Sequence, residues 1–260
     1  ICSHLSISFA RFAVIMLCSS VSLFGVVANT VLLSFFRRTL PASIFTATLA
    51  LLDVLICLTY FLLFGIDAGY VYLRSEFLFV LYHEYIVFIF FLSRVIQFAI
   101  PYMLIMATLE RFVSTCSERT RKHFVGFFSD SGRTITVIVL LIFSISLRLP
   151  VLFATEVSSF PNCTDFFRSM SVSPVEYWKS SVVYFVFDVH FIVMMQTVLP
   201  FFILLPLNLI IVVRLLSESN KRSHMGKQIR MEQKMKKASI SANNSTIPEN
   251  YLLLEVTNEM

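Results

Sequence analysis

The chain has 260 residues, 57% of them hydrophobic and 14% charged, with a mean hydropathy of +0.80 and a formal net charge of +5. A soluble globular chain carries about 25% charged residues, so too little polar side chain is present to cover a water-facing surface, and 28 Phe against 6 Gly and 8 Pro exclude a collagen-like or disordered chain. Nor does the basic balance point to nucleic acid, because the cations fall between apolar runs, where they flank a membrane.

A helix needs about 20 mostly apolar residues to cross the ~30 Å hydrocarbon core of a bilayer. Five stretches qualify in chain order: about Phe12 to Phe36, Ala42 to Phe64, Leu81 to Cys116, Thr134 to Phe153, and Val182 to Leu216. Pro41 opens the second at a helix start, and the third is long enough to tilt. The expected fold is an all-α membrane protein, with residues 1–216 as the transmembrane bundle and 217–260 as a basic, then polar, tail. Ser217 to Lys237 reads as an extension of the fifth helix, and the Ser-, Asn- and Glu-rich stretch after it as disordered towards its end.

Orientation follows from Lys and Arg in the connections. The side holding Arg37, Arg38, Arg111, Arg119, Arg121, Lys122, Arg133 and the eight from Arg214 to Lys237 collects fifteen cations. The other side has four: Arg11, Arg74, Arg168 and Lys179. The richer side is assigned to the cytosol, which places the amino terminus outside. Asn162 begins an Asn-Cys-Thr glycosylation sequon in a loop assigned to the outside. The five cysteines form no disulfide scaffold; only Cys2 and Cys163 fall on the outer side. No phosphate loop, paired-carboxylate site or metal-ligand spacing is present, so the chain does not read as an enzyme.

Two polar groups stand out at mid-span. Asp53 lies in the second span and Asn29 at matching depth in the first. Ionisable groups within a membrane are costly and usually functional. They could share a hydrogen-bond network or a sodium ion, or simply join two helices.

The third span ends in Glu110-Arg111-Phe112 before a basic loop. Together with Asn29, the Leu-Ala-Leu-Leu-Asp run ending at Asp53, and Pro200 and Asn208 in the fifth span, this set resembles the rhodopsin-like (class A) G-protein-coupled receptors. The Leu-Ile-Ile-Val-Val run after Asn208 is closest in pattern to invertebrate neuropeptide (FMRFamide-type) or orphan receptors. The likeness covers about Phe12 to Lys237, and order and spacing make short motifs specific together. The departures are definite. Ala28 stands where the family has glycine, and the only tryptophan, Trp178, falls in an outer loop instead of the fourth helix. No cysteine between Leu73 and Phe91 pairs with Cys163, which is therefore free or joined to Cys2. The sixth and seventh spans with their Cys-Trp-x-Pro and Asn-Pro-x-x-Tyr motifs are missing, so the chain reads as a receptor fragment truncated after the fifth helix.

The resemblance implies five spans of a seven-helix bundle in the plasma membrane, transducing an extracellular ligand, a neuropeptide or small molecule, to a heterotrimeric G protein. Glu110 would hold Arg111 in the resting state and release it on activation; the plainer role for Arg111 is to anchor the helix end at the interface. The cations from Arg214 to Lys237 would face a G protein or anionic lipid. Candidate ligand-pocket residues are Arg94, Gln97, Arg148, Asp188 and Gln196, although Arg94 or Arg148 could equally pair internally with Asp188. No cofactor is expected beyond a sodium ion near Asp53, and no other metal. Alternative functions are a chemosensory seven-helix receptor, a non-signalling accessory product, or a transporter or channel subunit. A transporter should carry repeated halves or broken helices, and the sequence has no such repeat.

Overall fold

The computed structural model describes residues 9–39, 44–116, 122, 124, 126–161, 163 and 165–245. Among them, five helices are long and apolar enough to cross a membrane: α1 (Phe9–Arg38), α2 (Ile44–Leu73), α3 (Glu76–Ser114), α4 (Asp130–Ala154) and α5 (Val182–Ser217). The all-α class and the number of spans expected from the sequence are both found. Two bounds move. Helix α2 runs past Phe64 to Leu73, and α3 begins at Glu76, ahead of Leu81. Asp67 and Glu76 lower the local hydropathy yet both lie within helices. Reversal takes only two residues, with Arg74 in the left-handed region at φ 48° and Ser75 extended. One helix-ending residue in the αL conformation is a usual way to stop a helix sharply.

Two compact units divide the chain, Ile1–Asn208 and Leu209–Met260. In the first, α2 and α3 bind the bundle through two apolar cores. One core joins Phe45 and Leu52 near the start of α2 to Ile96, Met103 and Ala107 of α3 and Val137 of α4. The other joins Leu63 and Tyr70 near the end of α2 to Phe79, Tyr82 and Ile86 at the start of α3. Helices α2, α3 and α4 therefore alternate in direction, as short connections require. Apolar residues also cover the outside: Leu17, Val21 and Phe24 of α1 and Ile135, Val139 and Ile142 of α4 are exposed. Such a surface suits lipid, where apolar side chains need no partner.

A hairpin caps the second core. Strand β1 (Thr155–Ser159) pairs antiparallel with β2 (Met170–Pro174), Thr155 opposite Pro174 and Ser159 opposite Met170. The Ser158 and Ser173 hydroxyls meet across it at 2.6 Å. Val157, Phe167 and Met170 pack onto the core below, and Phe166 and Phe167 both lie against the Phe79 ring. In the connection between the strands, Cys163 is disulfide-bonded. Cys2, which the sequence offers as its partner, and Asn162 lie outside the described residues.

Helix α5 is irregular where it begins. A short α-helical turn, Val182–Phe185, leads into two π-helical turns, Val186–Phe191 and Met194–Val198, before regular α-helix from Leu199. The second unit is helical through Ser245, beyond the extension to Lys237 read from the sequence. Its cations Lys221, Arg222, Lys227, Arg230 and Lys234 are exposed. The end of the tail, 246–260, lies outside the described residues.

Candidate functional site

The irregular start of α5 is explained by one residue. In the π register Leu199 donates its N–H to Met194, so the next bond would run from residue 200 to Met195. Residue 200 is proline, which has no N–H to give. The Met195 carbonyl is thus left without a backbone donor. Tyr102 of α3 supplies one: its hydroxyl donates to Met195 O at 2.7 Å. A defect in α5 becomes an interhelical bond, and Pro200 itself is buried against the bundle.

The same irregularity aligns two polar side chains. Asp188 and Gln196 are eight residues apart, and at about 100° per residue a regular helix would set them ~80° apart. A π turn inserts one residue, so eight residues behave like seven and the offset falls to roughly 20°. Both then face Arg148 of α4. Its guanidinium donates to Asp188 Oδ1 at 3.1 Å and also bonds Gln196 Oε1. Arg148 is only 4% exposed and stacks over the Phe98 ring at 5.7 Å. Burial of an arginine in an apolar span is tolerable only with such an ion pair and hydrogen bonds. Even so, its Nε has no hydrogen-bond partner among the described residues.

Of the pocket residues named from sequence, Arg148, Asp188 and Gln196 are therefore brought together, as an internal ion pair rather than an open site. Arg94 is not part of that pair. It is exposed, with its guanidinium over the Phe90 ring at 4.9 Å. Gln97 turns to its own helix, donating to Ser93 Oγ at 3.3 Å. Tyr102 is the participant that sequence reasoning missed. An aromatic one turn from Phe98 on α3, facing a proline-interrupted helix, was the available signal for Tyr102.

At the opposite end of α3 the sequence paired Glu110 with Arg111. In the structure Glu110 pairs instead with Arg133 of α4, at 2.8 Å. The reason is angular: successive helical residues point about 100° apart, so Glu110 faces α4 while Arg111 is exposed. Phe112 is half-buried beside them. Arg133 is set in place by the start of α4, where Ser129 caps the helix by accepting from Gly132 N at 3.1 Å. Arg133 also reaches Asp130 at 3.4 Å. Next to the pair opens a cavity of about 310 Å³ walled by Val113, Phe124 and Phe128.

Asn29 and Asp53 lie in α1 and α2. Asn29 donates its amide to Gly25 O one turn earlier, at 3.0 Å, so the two are not joined by a direct hydrogen bond. Asp53 is half-buried. Between these helices Ser22 Oγ donates to Cys57 O. A sodium ion at Asp53 would need several further oxygen donors; the described residues hold no cluster of three acidic, His or Cys side chains there or elsewhere. Asn208 is exposed. No family model matches this chain, and no curated protein matches it.

Proposed function

We propose that the chain forms five spans of a rhodopsin-like G-protein-coupled receptor in the plasma membrane. Its amino terminus and hairpin would face outside, with the basic helix ends facing a heterotrimeric G protein in the cytosol. The observation that carries this reading is the layout of α3. One continuous helix of 39 residues joins a charged cluster under the hairpin to an ion-paired acid beside an exposed arginine at its far end. A ligand acting on the cluster through Phe98 and Tyr102, on either side of Pro101, would shift the far end of the helix, which carries Glu110 and Arg111. Arg94 adds support. An exposed guanidinium along a membrane span is costly against lipid, so its face of α3 calls for further protein, as in a larger bundle. A peptide is the ligand class that the pattern after Asn208 favours.

In this mechanism the resting contact is Glu110 with Arg133, tying α3 to α4, and Arg111 is the group that meets the transducer. The test is nucleotide exchange on a purified heterotrimeric G protein added to the chain in lipid nanodiscs. Arg133→Ala should raise basal exchange and Arg111→Ala should abolish it. Exchange that is no faster than with empty nanodiscs, in wild type and both variants, would overturn the proposal.

A further inference from the structure

The outer cluster does not balance its charge. Among the described residues, Arg148 pairs with Asp188 and Gln196, while Arg94 makes no ion pair. Two guanidinium groups thus share one carboxylate within the spans. Arg94 lies one helical turn from Phe98, the ring under the Arg148 guanidinium. The buried Nε–H of Arg148 also lacks an acceptor. An unpaired positive charge along a membrane span and an orphaned buried donor are each costly. A single bound anion would relieve both. Around it the walls are aromatic: Phe90 under Arg94, and Phe98 stacked with Tyr102 under Arg148.

From this juxtaposition we propose that the cluster binds an oxygen-acid anion carried on an apolar body, with Arg94 as the binding residue and Arg148 as the positioning residue. The planar fork of arginine suits a two-oxygen acid group, and the rings suit a hydrocarbon or aromatic tail. Asp188 keeps Arg148 neutralised, so one negative charge is taken and not two. This deepens the ligand-site reading above and rests on it only for the site's purpose.

The experiment measures the thermal unfolding midpoint of the full chain in phosphatidylcholine nanodiscs, with dodecanoate or its methyl ester as the probe. The acid should raise the midpoint by about 2–4 °C and the ester should leave it unchanged. Arg94→Gln should lose the response and Arg94→Lys keep only part of it, because an ammonium supplies the charge without the fork. Equal shifts with acid and ester, or a full response in Arg94→Gln, would overturn the proposal. Nanodiscs containing phosphatidylglycerol separate the sources. If they raise the wild-type midpoint and blunt the acid response only when Arg94 is present, the anion is a lipid headgroup. If they do neither while the acid still acts, it is a diffusible acid. Loss of the acid response with G-protein exchange intact removes this inference alone; the reverse result removes the receptor reading alone.

Discussion

Arg148, Asp188 and Tyr102 show how single side chains make a membrane interior tolerable. A lone buried charge costs several kcal/mol, and breaking a buried pair by removing one partner typically costs about 3–5 kcal/mol. Asp188 is partly exposed, its side chain at 35%, so the effect here belongs at the low end. Asp188→Asn should lower the unfolding midpoint in nanodiscs by an amount equivalent to roughly 2–3 kcal/mol. The double substitution Arg148→Met with Asp188→Leu should recover most of it. A double variant no more stable than the single one would mean that the pair does more than offset its own burial. Tyr102→Phe tests the second device. Leaving the Met195 carbonyl without a donor should cost about 1–3 kcal/mol with no change in helix content, read by circular dichroism together with the midpoint.

At the scale of elements, the π turns of α5 and the outer hairpin carry the local irregularity. Deleting Val189 would take out the inserted residue and set Asp188 and Gln196 seven residues apart in regular helix, which keeps the two within roughly 20° of one face. Arg148 would then keep both partners. The expected outcome is a higher midpoint than that of Gln196→Leu; a midpoint at or below it would mean that the π turn does not set the alignment. The hairpin rests on Phe79, and Cys163 in the connection between its strands is disulfide-bonded. Reduction should therefore speed hydrogen exchange of the amides in Thr155–Ser159 and Met170–Pro174 while those of α3 stay protected. Uniform loss of protection would show that the disulfide supports the bundle as well.

At the scale of the whole molecule, fifteen cations against four set the expected orientation. With the hairpin outside, Asn162 would be glycosylated in microsomes, and Asn162→Gln would remove a single glycosidase-sensitive mass step. Protease added to sealed vesicles should cleave the basic helix beyond Ser217 and spare the hairpin. Cleavage of the hairpin with the basic helix protected would invert the topology.

Much of this architecture was legible from residues alone, because burial in lipid leaves a coarse signature. Each span must be about 20 apolar residues long and must satisfy its own backbone, so composition sufficed to find five helices. Proximity of Arg148 to Asp188 was also within reach, since two charges in apolar helices need partners. What only the tertiary structure decided is which partner each charge takes. Glu110 turned to Arg133 because helical geometry points neighbouring residues apart, and no chain-local pattern reports a contact to another helix. The hairpin escaped notice because its strands are rich in serine, with Val157 and Val172 as the main β-branched signals. It forms because Val157, Phe167 and Met170 find the aromatic core of α2 and α3 beneath them. Pro200 was visible as a motif, but its physical effect was not. A missing N–H matters only once a tyrosine from another helix stands within 2.7 Å of the carbonyl left behind.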